Sequence, residues 1–250
     1  MNIHNAATIL QHHGQQYIPD LSKASLKPPF RGRPVITASK GDVKKVCESC
    51  PMGAIASAPL SIDLGCCSFC GECSRLFPER IQFTQDHRLA SNTRENLIVK
   101  EGNDSPIAFV ASAVRKEITS LLGRALKLRQ ISAGGDCSAE LELGASGNPN
   151  FDMGRYGIEF VASPRHADGI VITGPISANM AEATRICHES VPTPRIVILC
   201  GVDAISGGLY AKSKGVDRSF LDEVKVDLYV PGDPPHPLTF ISGVLALLGR

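Results

Sequence analysis

Nine cysteines stand in this 250-residue chain. Six of them, Cys47, Cys50, Cys66, Cys67, Cys70 and Cys73, fall within one short stretch. Thiolates are soft anionic donors that suit zinc and iron–sulfur clusters. An odd cysteine count argues against a disulfide framework, and the opening MNIHNAATILQHHGQQ lacks the charged-then-apolar pattern of a signal peptide. The stretch Cys67-Ser-Phe-Cys70-Gly-Glu-Cys73 has C-x2-C-x2-C spacing, and Cys50 is followed by Pro51-Met52-Gly53-Ala54-Ile55. The cluster reads as a metal or iron–sulfur site, with a zinc knuckle or free thiols as the alternatives.

These two runs resemble the paired C-x2-C-x2-C-x3-C-P motifs of bacterial two-cluster ferredoxins, in which the fourth cysteine of each run binds the other cluster. In the second run Cys67, Cys70 and Cys73 are in register, and Phe77, still followed by Pro78, holds the fourth position. In the first run Cys50 stands at the fourth position, while Lys40, Val43 and Val46 stand at the first three. The resemblance therefore implies that one cluster has lost all its ligands (Lys40, Val43, Val46, Phe77). The other keeps Cys50, Cys67, Cys70 and Cys73. One [4Fe–4S] cluster is expected, with the valines and Phe77 turned into core. Cys47 and Cys66 fall out of register and read as bystanders, although Cys66 stands next to Cys67 and could replace it.

The elements that must position these residues follow from texture. Hydrophobic residues make up 43% of the chain and charged residues 20%, with a net charge of +1, which leaves little basic excess for nucleic acid. No apolar run approaches the roughly 20 residues that span a bilayer. Residues 1–34 read as a polar, extended arm ordered against a partner. Residues 35–91 hold the cysteines among short β-like pieces, and 92–106 read as a linker. From 107 to 250 the pattern changes. AFVASAVRKEITSLLGRALKL has helical periodicity. LKLRQIS, GIEFVAS, DGIVITG, PRIVILCG and VDLYVPG read as buried strands. SANMAEATRICHESV and HPLTFISGVLALLG read as helices. Alternating apolar strands and helices predict a parallel α/β domain.

Long motifs in that domain carry a second resemblance. SPRHADGIVITGPISANM, PRIVILCGVDAISGG and YVPGDPPHPLTFISGVLALLG are similar to the small subunit of membrane-bound, energy-converting [NiFe] hydrogenases, including those associated with formate hydrogenlyase. They are equally similar to the homologous iron–sulfur subunit of respiratory complex I. The resemblance runs from about Leu126 to Arg250. It implies a flavodoxin-like parallel-sheet domain, here preceded by a small ferredoxin-like α+β domain. In the family four cysteines of this domain hold a proximal [4Fe–4S] cluster. The corresponding motifs survive here without them: Asp136, Ala139, Asp203 and Asp233 occupy the four positions, and Glu142 keeps the family glutamate. Cys137 lies one residue out of register. Cys187 and Cys200 fall on the expected helix and strand and read as core.

The resemblance implies an iron–sulfur electron-transfer subunit, not catalytic alone, carrying one [4Fe–4S] cluster. It would dock a hydrogenase-like large subunit and ion-translocating membrane subunits, and lie peripherally on the cytoplasmic face of the cell membrane. Two other readings stand beside it. One is a structural or coupling subunit that bridges large and membrane subunits without electron transfer through its C-terminal domain. The other is an independent soluble ferredoxin-like carrier. The carboxylates at Asp136, Asp203 and Asp233, with Glu142, leave three chemistries open: a hydrated relic, a hard-cation site, or proton handling by crowded carboxylates. The turn from Gly201 to Gly208 lacks phosphate-loop spacing, so no nucleotide is expected. His12 and His13 lie in the arm, and His166 reads as an interface or hydrogen-bonding residue. The basic stretch from Arg115 to Arg129 reads as a solvated face that could meet a membrane subunit or anionic lipid.

Overall fold

A computed structural model describes residues 3–13, 17–38 and 42–250. The C-terminal half is a five-stranded sheet of β6 (Leu126–Ser132), β7 (Ile158–Phe160), β8 (Gly169–Thr173), β9 (Ile196–Cys200) and β10 (Leu228–Val230). Every pairing is parallel and the order is β10-β9-β8-β6-β7. Numbered from β6, this is 2-1-3-4-5, the flavodoxin-like order, whose switch point lies between the first and third strands. All of β8 and β9 is buried, as a parallel sheet covered on both faces requires. Ile170, Ile172, Val197 and Leu199 face one core, while Val171, Ile196, Ile198 and Cys200 face the other. Helices α5 (Ser138–Ala145), α6 (Ala178–Ser190), α7 (Val202–Ser206), α8 (Phe220–Glu223) and α9 (Pro237–Leu247) complete the layers.

The N-terminal half is built from α1 (Ile3–His13), α2 (Val43–Glu48), α3 (Glu72–Leu76) and two small antiparallel sheets. Strands β1 (Pro34–Ile36) and β4 (Ile81–Phe83) form one sheet; β2 (Ile55–Ser57), β3 (Leu60–Asp63) and β5 (Ile98–Lys100) form the other. The fold is therefore the α/β architecture expected, with three differences of detail. The stretch read as a linker supplies β5, which pairs with β3. The stretch read as an extended arm is helical over Ile3–His13, and Leu21 is buried in the core of the α/β half beside Ile18, Ala24 and Leu26. The helix expected from Ala108 onward is confined to α4 (Lys116–Leu122). Its N-cap, Arg115, is in extended backbone, and the Arg115 guanidinium turns inward onto Asp227, with Nε at 3.1 Å and the second contact at 2.9 Å. The basic stretch is thus interrupted by an ion pair whose carboxylate is buried.

The halves share packing. One hydrophobic core runs from Ile36, Val46 and Leu97 to Ile131, Ile172 and Leu199. Ser91 pairs antiparallel with Tyr229 and so covers the edge of β10, and Thr239 of α9 donates to the His87 carbonyl at 2.7 Å. Among the described residues no helix is long and apolar enough to cross a membrane.

Candidate redox and acidic sites

Cys50 lies in the turn after α2, Cys67 and Cys70 in the loop after β3, and Cys73 in α3. The chain brings all four to one small apolar cavity, lined also by Pro51, Ala54, Ile55, Ile62 and Phe83. Backbone amides point at two of the sulfurs: Ala54 N–H donates to Cys50 Sγ and Phe69 N–H to Cys67 Sγ, each at 3.3 Å. Cys67 and Cys73 are buried while Cys70 reaches the surface. Burial pushes the Cys67 thiol up to about 12, and the other three sulfurs add to the push. Burial likewise drives Cys73 up to about 11, with Cys50 and Cys70 contributing. Such thiols are poor free nucleophiles. Cys67 and Cys73 would become thiolates more readily beside a compensating cationic group, such as bound iron. Among the described residues no three His, Cys, Asp or Glu side chains converge to grip a single metal ion. A cubane asks for something else, one thiolate at each of four separate irons, and the donor set of this cavity suits it.

Val46 is fully buried, and Val43 and Phe77 pack against the same core. Lys40 lies outside the described residues. Cys47 is half-buried against the core. Cys66 donates to Asp63 Oδ2 at 3.3 Å, and burial raises its thiol.

The second site lies where the fold concentrates loops, beyond the carboxyl ends of the strands. Asp136 follows β6, Asp203 lies in α7 after β9, Asp233 follows β10, and Ala139 is in the first turn of α5. All four line one cavity, together with Gly135, Gly174, Gly201 and Gly232. Glycine is needed for close approach here: a Cβ at Gly208 would lie 1.8 Å from Asp203 Oδ1. Burial raises the Asp233 carboxyl to about 6, and Asp203 and Asp136 push the same way. The residue is exposed, so solvent moderates the push. Asp203 is also raised, first by burial and then by Asp136 and Glu140, against an opposing pull from Arg218. Asp136 is lowered because Ser138 hydrogen-bonds its carboxylate.

Sequence reasoning placed Glu142 with these carboxylates and passed over Glu140. The structure reverses the two. Glu140 lines the acidic cavity, accepting from Ser132 Oγ at 2.6 Å and Thr173 Oγ1 at 2.7 Å. Glu142, raised by burial, lines a larger neighbouring cavity of about 470 Å³ with Lys27, Arg31, Phe69 and His236. Asp233 borders both. The missed signal was helical period: Glu140 and Glu142 are two residues apart in α5 and cannot face one way. Cys200 is fully buried beside the acidic cavity, Cys187 is half-buried in α6, and Cys137 is exposed in left-handed backbone before α5. His166 is exposed in the loop before β8.

A family model described as the 20 kDa subunit of NADH:ubiquinone oxidoreductase matches residues 135–247. The chain is 40% identical over 142 residues to a subunit of the NADH-quinone oxidoreductase of Desulfovibrio desulfuricans, covering 55% of this chain and 75% of that one. It is 30% identical over 134 residues to the probable membrane-bound hydrogenase subunit mbhJ of Pyrococcus furiosus, covering 54% and 80%. Among solved structures, a chain of the membrane-bound sulfane sulfur reductase, an archaeal respiratory membrane complex, aligns at 25% identity with a TM-score of 0.45, covering 51% of this chain and 70% of that one. With its flavodoxin-like sheet, and with identity across three quarters of the Desulfovibrio chain, this protein belongs to the family of the 20 kDa subunit of NADH:ubiquinone oxidoreductase.

Proposed function

We propose that the protein is an iron–sulfur electron-transfer subunit of a membrane-bound, complex I-like or hydrogenase-related oxidoreductase, with one [4Fe–4S] cluster held by Cys50, Cys67, Cys70 and Cys73. A bound cluster supplies one-electron transfer. The chain's residues supply four thiolates, an apolar wall and two backbone amides on the sulfurs. The observation that carries the reading is convergence: cysteines from two segments separated by β2 and β3 line one apolar cavity. By this reading residues 35–91 form a ferredoxin-like unit on the α/β domain of residues 107–250. The chain works peripherally on the cytoplasmic face of the membrane, docked to a hydrogenase-like large subunit and through it to ion-translocating membrane subunits. Exposed Leu141, Leu209 and Tyr210 stand close in sequence to the acidic-site residues and suit such an interface.

Anaerobic purification with iron and sulfide counted tests this directly. About four of each per chain are expected, and Cys70→Ser should abolish the EPR signal of the reduced cluster. Eight irons per chain would overturn the single-cluster assignment.

The second reading, a coupling subunit with no electron transfer through the α/β domain, has its own observation. The four positions that carry thiolates in the family are Asp136, Ala139, Asp203 and Asp233 here, and they converge without a sulfur among them. Electron tunnelling fades steeply with distance, so a missing proximal cluster breaks the family's route to the large subunit. In the intact complex, rapid reduction of a large-subunit centre from the cysteine site would rule this reading out.

A further inference from the structure

We infer that Asp63 and Arg94 form a positioning pair that fixes the Cys66–Cys67 turn and sets the electrostatic environment of the cysteine site; the inference rests on that site holding a cluster. Asp63 ends β3 and acts through both its backbone and its side chain. Its carbonyl accepts the Cys66 and Cys67 N–H groups at 3.0 and 2.9 Å. Its N–H donates to the Ala54 carbonyl at 2.9 Å, and Ala54 N–H in turn donates to Cys50 Sγ. One residue thus ties together the backbones on either side of two proposed ligands. Its carboxylate accepts from Gly65 N–H at 2.9 Å and from the Cys66 thiol at 3.3 Å. Both oxygens are gripped by the Arg94 guanidinium, at 2.7 and 2.6 Å. A bidentate fork of this kind gives direction as well as attraction.

Arg94 comes from the stretch that reads as a linker in the sequence, in the turn that leads into β5. The pair is half-buried, so solvent screens it less than a surface pair. Arg94 lies 3.7 Å from Cys66 Sγ. It is also wedged against the α/β half: a Cβ at Gly65 would meet Arg94 Cζ at 2.7 Å and Ile205 Cγ2 at 2.8 Å. Ile205 belongs to α7, the helix that carries Asp203. The brace therefore stands at the base of the loop that carries Cys66 and Cys67, against the helix that carries Asp203, with an anion and a cation paired there.

That balance gives a test which mere scaffolding would not pass. A cluster gains one negative charge on reduction. Asp63→Asn leaves the Arg94 cation uncompensated and should raise the midpoint potential. Arg94→Gln leaves the Asp63 anion and should lower it. The double variant, with neither charge, and Arg94→Lys, with the cation kept, should both return toward the parent value. The measurement is an EPR-monitored redox titration of the full chain. Shifts of the same sign, or no shift in either single variant, would overturn the pairing. Where a single variant takes up no cluster, the double variant decides: recovered iron supports the charge balance, and an empty double variant overturns it. A parent chain that never takes up iron brings down the cysteine-site reading itself and this inference with it, and is told apart because no variant is involved.

Discussion

Asp233 shows what crowding among carboxylates does at one position. Its pKa is raised to about 6 by burial and by Asp203 and Asp136, above the ordinary carboxylate value. Ionising it therefore costs the folded chain more than the unfolded one. The penalty is absent below about pH 4, grows between about pH 4 and 6, and is complete at neutrality. Because the residue is exposed, the full shift overstates it, and solvent screening leaves about 1 kcal/mol or less. Asp233→Asn should accordingly raise the melting temperature at pH 7 and leave it unchanged near pH 4. A stabilisation of equal size at both values would show that charge crowding is not its cause. Asp136 offers the contrast, since Ser138 holds its carboxylate below the usual range, and Asp136→Asn should not stabilise at pH 7.

The elements explain how four distant positions meet. Parallel strands deliver their carboxyl ends to one edge of the sheet, so the loops after β6, β9 and β10 and the first turn of α5 share one cavity. If that convergence is retained from a cluster-binding ancestor, Asp136→Cys, Ala139→Cys, Asp203→Cys and Asp233→Cys combined should add about four irons per chain on anaerobic reconstitution. A folded quadruple variant with no extra iron would show that the loops have drifted from cubane geometry. The strands were plain in the sequence because buried parallel strands are continuous apolar runs ended by Gly, Ser or Pro, as in DGIVITG and PRIVILCG. That Cys50, Cys67, Cys70 and Cys73 line one cavity was hinted at in the sequence by their C-P and C-x2-C-x2-C spacing. The rest was hidden for physical reasons. Strand β5 is three residues long, exposed at its first and last, and its polar surroundings read as linker. Helix α4 begins after Arg115, which is in extended backbone and pairs with Asp227, a partner 112 residues away that no local pattern announces. Glu140 was passed over because its partners Ser132 and Thr173 lie on two separate strands.

At the scale of the whole molecule, the two halves are one packed body rather than a bead on a string. A single core holds Ile36, Val46, Leu60 and Leu97 together with Ile131, Ile170, Ile172, Val197 and Leu199. Fully burying one such side chain contributes about 1.5–3 kcal/mol, so a handful shared across the junction rivals the roughly 5–15 kcal/mol that stabilises a typical domain. The backbone joins the halves as well, through Ser91 with Tyr229 and through Thr239 with the His87 carbonyl. Neither half should therefore unfold alone. On heating the full chain anaerobically, loss of cluster absorbance and loss of helical signal are expected to fall in one transition. Residues 107–250 expressed separately should bind a hydrophobic dye and melt lower, because the face of the sheet that carries Ile170 and Ile172 loses part of its cover. Two well-separated transitions in the full chain, or a fragment as stable as the parent, would show that the cysteine-bearing half is an independent module and that the shared core contributes little.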